Sequence, residues 1–449
     1  MNLLSCIGCF INIIEFPHLS RKRQLKIIEK KQKEIINYAK SHSDYYKKII
    51  PDGYEKLEDI PPTTKKMFVD NFDDILTDKT LTFEKVWEHY KKNSNNAVIN
   101  DKYSIVMTSG TTGAPVVLLR NRDEFIKDSI RDVVYSCCLH KGIGIFSDED
   151  YSIEKEKYGE AINSSVIFGK FVSAILNCQD SYEELAKQIS ILKPGFIATY
   201  TSTIKMIANK MVELGLTVPV EYILCSGENI TNLDRLEIHK GFPNAQIRSV
   251  YACTEASTIA VECKYGHLHI NEDSVKIEPV DLSFNVLPYG VLSDQTLVTV
   301  YGNTIQPVIR YVLGDKIVLH KSGCPCGNNS ECLEVQGRSG DILYFESSNG
   351  EKIGVAPINL MISMDELYSQ GFENFRDYQI ILHHDNIIEL RLDFIEPCNH
   401  EEIFNKVKIR ITEYLNSLGV EIRDIYLSDV PPEIQAYGIK KRRIYRADD

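Results

Sequence analysis

Thr108-Ser109-Gly110-Thr111-Thr112-Gly113-Ala114-Pro115 places four hydroxyls and two glycines in its first six residues, directly after the apolar run Tyr103–Met107. Small residues let a backbone approach a ligand closely, and successive N–H groups can form an anion-binding nest. Hydroxyls add donors aimed at the same place. A polyphosphate is the ligand that suits such a loop. The Gly-Lys-Ser/Thr ending of a Walker A loop is absent. The competing reading is an ordinary Ser/Thr/Gly turn between two elements.

Five further segments follow in order. Ser226-Gly227-Glu228 comes after an apolar run, Tyr222–Cys225. A small turn at the end of a strand is where open α/β sheets bind ligands. In Tyr251-Ala252-Cys253-Thr254-Glu255 a ring could stack on a base, a hydroxyl could meet phosphate and a carboxylate could hold Mg²⁺. Ile309-Arg310-Tyr311-Val312-Leu313-Gly314-Asp315 sets a carboxylate after a turn, suited to two ribose hydroxyls. Gly337-Arg338-Ser339-Gly340-Asp341 marks a change of pattern, and Gly438-Ile439-Lys440-Lys441-Arg442-Arg443 lies near the end. Each alone has a plainer explanation: Tyr251 as a half-buried strand residue, Asp315 as a strand terminus, Lys440 as part of a solvated basic tail.

The elements around these segments follow from apolar periodicity. Residues 20–50 read as one or two amphipathic helices, with Leu25, Ile28, Ile35, Ile36 and Ala39 on one face. Leu57–Lys65 is a turn into another helix, capped by Thr63 or Thr64. Between about residues 100 and 300, the runs Tyr103–Met107, Ser165–Phe168, Gly195–Tyr200, Tyr222–Cys225 and Gln246–Tyr251 alternate with helical patterns, which predicts α/β layers. Residues 294–320 read as all-β, with strands at Gln295–Tyr301, Val308–Tyr311 and Lys316–His320. Beyond residue 340, strands at Asp341–Ser347, Gln379–Leu382 and Ile388–Phe394, a helix at Glu401–Leu418 and a strand at Glu421–Leu427 predict a compact α+β unit. His383-His384 falls in a solvated hairpin turn.

At 449 residues the chain has room for two or three domains, and 43% hydrophobic with 25% charged residues is ordinary for a globular protein. A net charge of −12 argues against a broad nucleic-acid-binding face. The apolar start, Met1–Ile14, has no basic n-region and is too short to span a bilayer, so a packed segment and a cytoplasmic location are expected, with no membrane partner. Twelve cysteines in a reducing compartment do not make a disulfide framework. Cys137-Cys138, Cys178 and Cys225 read as buried thiols.

Taken in this order, the segments resemble the adenylate-forming superfamily of acyl-CoA ligases, peptide-synthetase adenylation domains and luciferases over nearly the whole chain. The length, the segment Asp59-Ile60-Pro61-Pro62-Thr63-Thr64-Lys65 and a Cys/His pattern are most similar to the phenylacetate-CoA ligase-like branch, which includes coenzyme F390 synthetases. The resemblance implies an α/β fold. A large N-terminal adenylation domain, residues 1–339, would carry layered α/β sheets and a β-rich subdomain. A small mobile α+β C-terminal domain would span 340–449. It implies that ATP and Mg²⁺ activate a carboxylic acid as its adenylate, and that CoA or a separate carrier protein then takes the acyl group. It implies phosphate contacts from Thr108, Ser109, Gly110, Thr111, Thr112 and Gly113, and an adenine site lined by Gly227, Glu228 and Tyr251. Thr254 would meet the α-phosphate, Glu255 the Mg²⁺, and Asp315 the ribose with Arg338 nearby, while Lys440 would serve as the catalytic lysine. Transfer to an amine, direct AMP transfer and a non-catalytic nucleotide-binding relative stay open, as does a homodimer.

The chain departs from the superfamily pattern at several points. The lysine usual after the phosphate loop is Val116. The arginine of Tyr-Arg-x-Gly-Asp is missing from Tyr311–Asp315, although Arg310 is adjacent. The hinge falls at Gly340 or Asp341, and the lysine at Lys440 or Lys441. Cys263, His269, Cys324 and Cys326 are ligand types of tetrahedral structural zinc, with Cys332 and His267 as substitutes. Their pattern resembles the zinc site of some members of that branch, and unliganded thiols in a β-turn are the alternative.

Overall fold

The computed structural model describes residues 3–92, 98–107, 116–124, 127, 130–131, 142–146, 172–347, 349–370, 374–433 and 442–447. The loop Thr108–Pro115, Cys137-Cys138, the run Ser165–Phe168 and the segment Gly438–Lys441 lie outside them.

A nine-stranded sheet organises the large domain. Val172–Asn177, Gly142–Phe146, Phe196–Tyr200, Tyr222–Ser226 and Gln246–Cys253 run parallel in that spatial order. Ser257–Glu262, Leu268–Ile270, Cys332–Arg338 and Asp315–His320 then continue antiparallel. Helices Tyr182–Leu192, Thr201–Glu213 and Asn232–Gly241 connect the parallel strands. They bury Leu185, Ile189, Ile204, Ile207, Met211 and Ile238 in one core with Ile197 and Ile223. The alternation read from the sequence is thus a parallel layer with these three helices packed side by side against it.

A second core joins the N-terminal helices to the β-rich part. Helices Arg21–His42 and Asp44–Ile49 supply Ile28, Ile35, Ile36 and Tyr46. Thr64 caps helix Lys65–Asp70 by accepting from the Met67 N–H. Strands Val275–Val280, Gln295–Val300 and Tyr311–Val312 form a three-stranded sheet.

The expected strand at Val308–Tyr311 is shorter, because Arg310 takes a left-handed φ of 46° and ends the extended run. That kink has a purpose. The buried Arg310 guanidinium pairs with buried Glu278 and donates to the Glu58 and Ile60 carbonyls at 3.1 and 2.6 Å. Thr63 and Arg310–Val312 also exchange backbone hydrogen bonds. Arg310 therefore staples residues 58–63 to the β-rich sheet and does not face the ligand-binding turns.

The C-terminal domain has its own core. Its four-stranded sheet orders Asp424–Leu427, Ile387–Phe394, Phe375–Leu382 and Ile444–Arg446, with helices Pro357–Ser369 and His400–Ser417 packed together. The helix Pro357–Ser369 and the strand Lys352–Val355 were not foreseen from the sequence.

Candidate active site

Two neighbouring parallel strands end at the candidate site. After Tyr222–Ser226 the chain turns at Gly227, whose φ of 75° favours glycine. Glu228 follows, and its carboxylate accepts from Ser202 N–H at 2.7 Å and Ser202 Oγ at 2.9 Å. Glu228 thereby fixes the first turn of helix Thr201–Glu213 beside the mouth of the sheet.

The next strand, Gln246–Cys253, carries Tyr251 and passes through a turn at Thr254 and Glu255 before reversing. The second carboxylate arrives from the other side of the domain. Tyr311 leads into a turn at Gly314, φ 78°, and then Asp315 opens the strand paired with Cys332–Arg338.

The two segments are cross-linked by reciprocal hydrogen bonds. Tyr251 Oη donates to Asp315 Oδ2 at 2.5 Å, and Tyr311 Oη donates to Glu255 Oε1 at 3.2 Å. Each tyrosine serves the carboxylate of the other segment. Arg338 Nε stands 3.5 Å from Asp315 Oδ1, across the pair of strands.

The electrostatics are those of a site that wants cations. Burial raises the Asp315 pKa, opposed by the Tyr251 hydrogen bond and by Arg338, while Glu255 pushes it up further. Burial and then Asp315 raise the Tyr251 hydroxyl; burial and then Glu255 raise that of Tyr311, so both stay protonated donors. Burial with Glu255 and Asp315 also lifts the Cys253 thiol well above its ordinary value.

The strands flanking the loop at 108–115 pair antiparallel, with Met107 opposite Val117. Val106 and Val116 belong to the same buried cluster as Ala256 and Tyr311. Val116 is 1% exposed. The residue standing where a lysine is usual is part of the core.

The Cys/His set gathers as one cluster. Ligand atoms of Cys263, His269, Cys324 and Cys326 all lie within 4.8 Å of one another. The Cys263–Cys324 sulfur distance is 3.7 Å, close to the ~3.8 Å edge of a tetrahedron with Zn–S bonds of ~2.3 Å. His269 Nδ1 donates to the Ser330 carbonyl at 3.2 Å, leaving Nε2 facing Cys326 Sγ at 3.2 Å. Such an outer hydrogen bond sets the tautomer that a ligating imidazole needs. Cys332 Sγ sits 3.3 Å from Nδ1 and 3.7 Å from Nε2 of the same ring, beside the cluster. His267 is exposed and outside the group. The donor set and its second shell fit a closed zinc site. The cluster ties the Cys263–His269 hairpin to the turn at Cys324–Cys326.

No protein-family model and no curated protein matches the chain. Solved structures do. A 2-hydroxyisobutyryl-CoA ligase in its postadenylation state with 2-HIB-AMP superposes with a TM-score of 0.75 at 16% identity, covering 96% of this chain and 91% of that one. The chain has the fold of the CoA ligases. An anthranilate CoA ligase with anthranoyl-AMP matches over 75% of this chain and 65% of its own, at 14% identity and a TM-score of 0.51. The first ligase in its thioesterification state, with 2-HIB-AMP and CoA, covers the same 96% of this chain and 92% of its own at 17% identity, yet reaches only 0.58.

Of the residues singled out from the sequence, Tyr251, Asp315 and Arg338 are joined in the structure, and Glu255 pairs with Tyr311, whose hydrogen bond the sequence reading missed. The spacing of Tyr311 to Asp315 repeats that of Tyr251 to Glu255, which is the signal that could have found it. The phosphate-loop residues Thr108, Ser109, Gly110, Thr111, Thr112 and Gly113, with Lys440 and Lys441, lie outside the described residues.

Proposed function

We propose that the protein activates a carboxylic acid with ATP as an acyl-adenylate and passes the acyl group to a thiol, of CoA or of a separate carrier protein. The observation that carries this reading is the crossed tyrosine–carboxylate pairing. It sets Glu255 and Asp315 side by side at the end of the sheet in a CoA-ligase fold. In the first step an acid oxygen attacks the α-phosphorus as the bond to pyrophosphate breaks. In the second a thiolate sulfur attacks the acyl carbon and AMP leaves.

Each step has residues suited to it. The Tyr251 hydroxyl anchors its ring beside Asp315, so one side chain orients the base while the other accepts from the ribose hydroxyls, with Arg338 alongside. Gly227 and Glu228 complete the adenine wall, and Thr254 donates to the α-phosphate. Glu255 would hold Mg²⁺, which when bound neutralises phosphate charge. The hydroxyls of Thr108, Ser109, Thr111 and Thr112, with the backbone at Gly110 and Gly113, take the β- and γ-phosphates. Lys440 is brought by the C-terminal domain and stabilises charge in the water-excluded site. The domains divide at 339/340, and Gly340 lies in the single turn Ser339–Asp341 between them. Cys263, His269, Cys324 and Cys326 would hold a structural zinc ion.

Exchange of labelled pyrophosphate into ATP, driven by a panel of aromatic, amino and aliphatic acids, tests the first step. At least one acid is expected to drive exchange without thiol, and CoA consumption then reports the second step. No exchange with any acid would overturn the adenylation reading. Exchange without CoA consumption would move the acceptor to a carrier thiol or an amine.

A further inference from the structure

Between the two domains lies a quartet of charges, three of them buried and Asp377 partly so, that the chemistry above does not use. Lys205, on helix Thr201–Glu213, and Asp234, on helix Asn232–Gly241, belong to the large domain. Asp377 and Arg443 belong to the C-terminal sheet region. Arg443 grips Asp234 with both terminal nitrogens, at 2.5 and 2.9 Å. Lys205 reaches Asp377 at 3.3 Å across the same boundary. Asp234 is 0% exposed, Lys205 4% and Arg443 9%.

Two further contacts close the boundary. Asp365, on helix Pro357–Ser369, accepts from the N–H groups of Asn232 and Leu233 at 2.6 and 3.2 Å, capping the large domain's helix from the other domain. Leu233 is buried within the C-terminal domain's hydrophobic cluster.

The quartet is divisible. Lys205 also stands 3.4 Å from Asp234 within the large domain, and Arg443 Nε stands 3.6 Å from Asp377 within the small one. Pulling the domains apart therefore leaves one cation and one anion on each face, and no charge loses its only counterion. A buried pair cut through its middle would strand two opposite charges, at high cost. This arrangement avoids that cost and still makes a strong bidentate contact when docked.

We infer that Asp234 and Arg443, with Lys205, Asp377 and Asp365, form a releasable latch that sets the C-terminal domain in the adenylating orientation. Arg443 is its positioning residue. Arg443 lies three residues after Lys440, a tether of at most about 11 Å between Cα atoms. Fixing Arg443 therefore confines the segment that carries the candidate lysine. The inference about catalysis rests on the proposed function; the latch itself does not.

The two are separated by measuring both. In ligand-free protein, hydrogen exchange at the Asn232 and Leu233 amides reports docking directly. Arg443→Gln and, separately, Asp365→Asn are expected to speed their exchange at least tenfold. Unchanged protection in both variants overturns the latch, whatever the reaction. With an acid that supports pyrophosphate exchange in the wild type, Arg443→Gln is expected to lower kcat for that exchange at least tenfold. Thioester formation from the preformed acyl-adenylate should change less than twofold, and Arg443→Lys should recover part of the loss. Parallel loss of both half-reactions, or loss of neither, overturns the positioning role. If no acid supports exchange in the wild type, the adenylation reading and the positioning role fall together, and the amide measurement alone decides the latch.

Discussion

Glu255 and Asp315 owe their placement to tyrosines on each other's segments, so hydroxyl and carboxylate changes should separate. Glu255→Gln keeps the volume and can still accept from Tyr311, but it loses the charge that would hold a metal. It is expected to cut acid-dependent pyrophosphate exchange ~100-fold or more while leaving the melting temperature nearly unchanged. A comparable loss in Tyr311→Phe would show that orientation matters as much as charge. Val116 makes the opposite case. Putting the usual lysine back would bury an ammonium among Val106, Leu118 and Ala256. Val116→Lys is expected to cost ~3 kcal/mol or more and lower the melting temperature by roughly 4 °C or more, measured by calorimetry. A stable and more active variant would mean that the side chain escapes to the loop. The sequence made Val116 look like a missing cation, because its burial depends on partners from distant parts of the chain.

Among the elements, the Arg310 staple and the Cys/His cluster each tie distant segments together. Burial raises the Glu278 pKa, and Arg310 opposes that rise. Arg310→Met would leave a buried carboxylate unpaired, at ~3–5 kcal/mol. An acid whose folded pKa is raised gives stability at low pH that is lost as pH rises through that value. The variant's deficit against wild type should therefore be smaller at pH 5 than at pH 8 in denaturant titrations, and an equal deficit would contradict this account. For the cluster, protein purified without added zinc should carry about one equivalent, and Cys326→Ser should lose it. Less than about half an equivalent would sink the zinc assignment.

The strands that hold these residues were legible because apolar runs and small turns mark them locally: Tyr103–Met107 was bounded correctly, and Gly227 and Gly314 fall where the backbone turns. Val308–Tyr311 was misread because apolar composition hid the left-handed turn that Arg310 needs. Helix Pro357–Ser369 escaped notice because it meets both helix His400–Ser417 and strand Cys332–Arg338, which blurs the one-sided pattern of a surface helix. Among the described residues, no helix is long and apolar enough to cross a membrane.

At the scale of the whole molecule, two domains meet across a charged boundary. The intact charge quartet defines one docked form of the two domains. Burial alone would raise the Asp234 pKa, but Arg443 and Lys205 outweigh it and hold the carboxylate well below the usual range. An acid with a depressed pKa gives stability above its ordinary value that is lost only as pH falls through the depressed one. The Asp234–Arg443 pair should therefore stay ionised at pH 4, while burial raises the pKa of Asp365. Any faster exchange of the Asn232 and Leu233 amides on going to pH 4 should then vanish in Asp365→Asn; a pH-dependent release that persists in that variant would contradict the pairing. None of this interface was legible in the sequence. Asp234 reads as the acid of the Thr231 capping box, and Lys205 as one more helical lysine. Only folding brings residues more than 170 positions away against them.

Adenylation at the crossed carboxylates stands or falls on acid-dependent exchange. Labelled pyrophosphate exchange into ATP should be compared in the wild type and in Glu255→Gln across the acid panel. The account predicts exchange that requires both an acid and Mg²⁺ in the wild type, and its near-abolition in the variant. Exchange that proceeds equally in Glu255→Gln, or that no acid elicits in the wild type, would contradict it.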